Sequence, residues 1–110
     1  MKPKTLYCPA SSIPFLVSAI NEYALAAYPP GGSECAQSAR EALQTAAAQI
    51  QVEYDEAQQS VVVNRRLIAQ MKAAVDYYFE SIVVQTTDSV HQHQLLLAVL
   101  SGDMMKQSAH

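Results

Sequence analysis

Apolar positions along the first third of the chain fall at Ile13, Leu16, Val17, Ile20, Tyr23, Ala24 and Ala27. Steps of three and four of this kind lie along one face of an α-helix. Ser12 stands where an N-cap is wanted, and Pro14 falls in the first turn, where its missing N–H costs little. The spacing therefore predicts a helix over 13–27. Tyr28-Pro29-Pro30-Gly31-Gly32 ends it, because Pro and Gly break helices most strongly. Ahead of it, 1–11 contains Pro3 and Pro9 and reads as an extended arm.

Ser33 is the next N-cap, with Glu34 beside the positive helix end. From there to Val84 the chain has neither Gly nor Pro, and 36–48 is rich in Ala. Leu43, Ala46, Ile50, Tyr54, Ala57, Val61, Asn64, Ile68, Met71, Val75, Tyr78 and Ile82 form a series stepping by three and four. That is a heptad seam with one stutter between Ile50 and Tyr54. As one helix it would extend roughly 75 Å, at about 1.5 Å per residue. A helix of that length must fold back or pack along a second copy. The competing pattern lies at 49–64, where Ile50, Val52 and Tyr54 alternate with polar residues and Ser60-Val61-Val62-Val63 is β-branched. Those two runs would make a β-hairpin. The helix is preferred because 55–59 holds no Gly, Asn or Pro to turn the chain.

Thr86 or Thr87 caps a last helix over 88–101, and Gly102 stops it. The pattern gives one domain over 12–102, with 103–110 as a flexible tail. The expected fold is all-α, a small helical bundle or long helical hairpin that associates with itself. The alternative is α+β, with the hairpin at 49–64.

Composition narrows the function. Half of the 110 residues are hydrophobic and 15% are charged, against about 25% in an average chain. Apolar content of this kind suits a surface hidden in a partner or oligomer. The net charge is −3 and the only basic doublet is Arg65-Arg66, so nucleic acid is not an expected partner. No run approaches the ~20 apolar residues of a membrane span. Cys8 and Cys35 make no CxxC pair and no disulfide framework, which points to reduced thiols in the cytoplasm.

No catalytic constellation is apparent and no cofactor is expected. Cys35 lies in a first helical turn, where a thiol can be activated, but nothing places a base beside it. Cys8, in the arm, is expected to be exposed. His91 and His93 point in different directions on a helix, and no nearby cluster of Cys, Asp or Glu supplies further metal ligands. Asp76 and Glu80 read as a solvated stripe beside Lys72. Tyr77-Tyr78-Phe79 covers most of a helix circumference, so one ring should face a partner. Asn64 on the seam can set register.

The expected function is therefore a non-enzymatic protein–protein interaction module. Its interface is Asn64, Ile68, Met71, Val75, Tyr77, Tyr78 and Phe79, and its partner is another protein or a second copy. The alternatives are a helical sensor of a small ligand, or an enzyme using Cys35 or His93 across a dimer interface.

Overall fold

Residues 2–103 are described by a computed structural model. The first helix, α1, covers Ile13–Ala27, as its apolar spacing predicts. A 3-10 turn over Ala10–Ser12 leads into it. Ser12 does not cap α1: its buried hydroxyl donates instead to Oε1 of Gln92, 2.7 Å away, and so ties this end to the last helix. Helix α2 covers Glu34–Glu53 and is capped by Ser33, whose Oγ accepts from the Ala36 N–H.

The long helix expected over 33–84 does not form. The chain leaves α2 at Tyr54 and returns as a strand at Ser60. Three local devices replace the missing Gly or Pro. Asp55 and Ser60 exchange two backbone hydrogen bonds, at 2.8 and 3.2 Å. The Asp55 carboxylate accepts from the Gln58 N–H, the side-chain mimic of a turn. Gln59 takes a left-handed backbone, with φ of 49°. The 49–64 hairpin is also not what forms, because 50–53 stays helical.

The strand that does form, β2 (Ser60–Asn64), pairs instead with the N-terminal arm. Strand β1 (Pro3–Tyr7) lies antiparallel to it, with Leu6 opposite Val61 and Lys4 opposite Val63. Leu6, Val61 and Val63 are buried, so the sheet turns one face to the helices. The Tyr54 hydroxyl donates to the Cys8 carbonyl, fixing the end of α2 to the arm.

Beyond β2 the Asn64 side chain accepts from the Arg66 N–H and starts a 3-10 turn over Arg65–Leu67. Helix α3 (Ile68–Tyr77) follows and widens into a π-helical turn over Tyr78–Ile82. Helix α4 (Thr87–Ser101) opens on a reciprocal capping box between Thr86 and Ser89. It closes at Gly102, whose φ of 81° is the left-handed C-cap. Among the described residues the architecture is mostly helical, four helices with a two-stranded antiparallel sheet. The predicted tail falls mainly on 104–110, which lie outside the described residues.

The core is made of Leu16 and Ile20 of α1, Leu43 and Ile50 of α2, Met71 and Val75 of α3, Phe79, and Leu96, Val99 and Leu100 of α4. The longest dimension is 51 Å, well short of the ~75 Å helix. The radius of gyration is 13.9 Å, near the ~13 Å of a compact chain of this length. Folding back at 54–60 lets one copy cover most of its own apolar stripe.

Candidate functional site

Among the residues expected at an interface, Met71, Val75 and Phe79 are fully buried within the chain itself. Ile68 and Tyr78 are half-buried against the core. Tyr77 is half-buried with its ring edge-on to Tyr23, centroids 6.2 Å apart. Asn64 serves as the cap already described. The structure therefore brings these seven residues together only in part, and it does not make them one exposed seam. Of Tyr77, Tyr78 and Phe79, the π turn holds Phe79 in the core, while the two tyrosines keep part of their surface exposed.

Phe79 stands at the centre of the α3–α4 junction. It stacks on the His93 imidazole at 5.3 Å and 10°, and it meets Phe15 at 5.9 Å and Tyr78 at 5.4 Å. Its carbonyl, near the start of the π turn, accepts from Gln85 Nε2 at 2.7 Å. His93 Nε2 lies 2.7 Å from Asp76 Oδ1. Glu80 joins this pair, and the three donor atoms all lie within 4.8 Å of one another. The carboxylates that the sequence did not place beside His93 are thus the Asp76 and Glu80 of the supposed solvated stripe. The missing signal is tertiary, since α3 and α4 must pack before position 76 meets position 93. One imidazole nitrogen and two carboxylate oxygens are a donor set that a divalent cation can use. In this arrangement Asp76 is already the hydrogen-bond partner of His93, and stacking fixes the ring.

The two thiols differ from each other. Cys35 is exposed. Cys8, expected in an exposed arm, is instead buried under the sheet and helices, and burial pushes its thiol up to about 11. A thiol held neutral in this way is a poor nucleophile. Burial, followed by the neighbouring Cys8, Glu56 and Asp55, also raises the Tyr54 phenol, which keeps it a hydrogen-bond donor to the Cys8 carbonyl.

A concave surface lies elsewhere, in a wedge between α2 and β2. Its walls are Ala42, Ala46 and Ile50 on one side and Val62, Val63 and Leu67 on the other, with Thr45, Gln49 and Asn64 completing it. The cavity measures about 270 Å³. The Asp55–Ser60 backbone pair closes the end where α2 and β2 join. A second depression is lined by Phe15, Val83 and Val84 among polar neighbours that include Asp88, His91 and Gln92, and Val84 is largely exposed. No described helix is long and apolar enough to cross a membrane.

These features define a small, mostly helical domain with an open wedge beside a two-stranded sheet. Comparison with protein-family models, with curated proteins and with solved structures finds no match to this chain.

Proposed function

We propose that this chain is a non-enzymatic protein–protein interaction module, and that it binds a segment of another protein in the α2–β2 wedge. The observation that carries this reading is the wedge itself. It combines apolar walls from a helix and a strand with an end closed by the chain's own backbone. Concave apolar sites with a few polar groups are the usual form of a binding site. The polar chemistry elsewhere supports a binding role over a catalytic one: His93 is held by Asp76 and Phe79, and burial keeps the Cys8 thiol neutral. Both cysteines are free thiols, which suits the reducing cytoplasm.

The test is selection of a displayed random-peptide library on the immobilised protein, repeated on Ala42→Glu. Ala42 is exposed on the wedge wall, so the substitution blocks the wedge without entering the core. Peptides enriched on the parent chain and lost on the variant are the expected result. No enrichment, or equal enrichment on both proteins, overturns the reading.

A further inference from the structure

The hydrogen-bond parity of the sheet shows which groups of β2 face the wedge. Cys8 donates to the Gln59 carbonyl and Arg65 to the Lys2 carbonyl, so bonded pairs fall at 2–65, 4–63, 6–61 and 8–59. In an antiparallel ladder the residues between them turn their N–H and C=O groups away from the partner strand. For β2 those residues are Ser60, Val62 and Asn64. Ser60 finds Asp55 on that side. Val62 finds no backbone or side-chain hydrogen-bond partner among the described residues, and the Asn64 N–H finds none either. The outward edge of β1 is guarded differently, since Pro3 stands at one of its outward positions and has no N–H to offer.

We infer that the wedge takes an extended peptide segment that adds as a third strand along the free edge of β2, with apolar side chains at alternate positions and an acidic residue beside Arg65 and Arg66. The inference rests on the proposed interaction role and names the partner's chemistry. Strand addition explains the pairing of an open sheet edge with an apolar helix wall: main-chain bonds hold the segment, and alternate side chains fill the wedge. Asp55 already occupies the first position of this third strand, opposite Ser60, and the partner continues from there. The same Asp55 excludes a second copy pairing its own β2 about Val62, because that register would place Asn64 of one copy on the edge of Ser60 that Asp55 holds. Charge selects the flank. Arg65 and Arg66 follow directly on β2, are exposed, and make no ion pair among the described residues.

The experiment uses two blocked synthetic peptides of alternating valine and threonine, about seven residues long. One carries two glutamates at its N-terminus and the other carries them at its C-terminus. Titration is followed by NMR on the full chain. One peptide should bind and slow hydrogen exchange at the Val62 and Asn64 amides. N-methylation at a peptide position facing β2 should weaken it about tenfold, the loss of one main-chain bond. Replacing its glutamates by lysines should weaken it further. Val62→Pro, which removes an outward N–H of the strand and alters the wedge wall, should weaken it at least as much. Should that variant fail to fold, the N-methylated peptide still decides on the parent protein. Binding by neither peptide, or binding unaffected by N-methylation, overturns strand addition. Library peptides that bind the wedge in either case leave the interaction role standing. An empty library selection removes that role, whatever the two designed peptides do.

Discussion

The α3–α4 junction and the α2–β2 wedge contain similar materials and differ in how far those materials are satisfied. At the junction, Phe79 stacks on His93, His93 meets Asp76, and the Phe79 carbonyl near the start of the π turn meets Gln85. At the wedge, an apolar wall stands open and Val62 presents backbone groups that find no partner among the described residues. Unpaired donors and acceptors are tolerated there because water reaches them; buried, each would cost about 1–3 kcal/mol. The lesson is that conspicuous side chains mark the structural part of this molecule. The plainer residues, alanine and valine, line the part that is left open.

The contrast predicts a wide range of mutational effects. Phe79→Ala should have the largest, about 3–5 kcal/mol, since it removes a fully buried ring from the junction. Against a total stability of about 5–15 kcal/mol, urea denaturation should show a partly or wholly unfolded protein. A loss below about 1 kcal/mol would mean that the junction is less tightly packed than its geometry indicates. A smaller effect is expected from alkali. The folded Cys8 thiol titrates at about 11, above the 9.0 of a free thiol, so its neutral form is the one the fold prefers. The stability this contributes is fully present below about pH 9 and is lost as pH rises toward 11. Cys8→Ala should flatten that decline in a series of denaturation midpoints; an unchanged slope would assign the decline to other groups, such as Tyr54. Tyr54→Phe, which removes one hydrogen bond between α2 and the arm, should cost about 1 kcal/mol.

How much was legible in the sequence follows the same division between local and distant causes. Helix α1, the Ser33 cap, the Thr86 cap and the Gly102 stop all depend on residues a few positions apart, and each was readable from spacing alone. The stretch 54–64 was not. Its three-and-four spacing mimics a helical seam because Tyr54, Val61 and Asn64 happen to continue the rhythm of α2. What decides the matter is β1, more than fifty residues earlier in the chain, together with a positive φ at a glutamine, where no residue preference announces it. Val61 and Val63 alternate with Val62 as a strand should, and that signal became decisive only once a partner strand was available. The wedge was invisible for the same reason, as it exists only because α2 and β2 part company at Tyr54. Asp76 and His93 likewise meet only through packing of α3 on α4.

The smallest expected effect sharpens the comparison most. Ala42→Glu should change stability by no more than about 0.5 kcal/mol, because an exposed helical alanine loses little on replacement by another good helix former. Thermal unfolding of the variant should therefore overlay that of the parent chain, while wedge binding is lost. The converse holds at the junction. A double-mutant cycle on Asp76→Asn and His93→Gln should return a coupling of about 0.2–1 kcal/mol, since the carboxylate is 48% exposed and solvent screens the pair. That cycle should leave wedge binding unchanged. If instead the Asp76 and His93 variants weakened binding and Ala42→Glu did not, the roles assigned to the two regions would have to be exchanged. The open edge of β2 would then be only an uncovered strand.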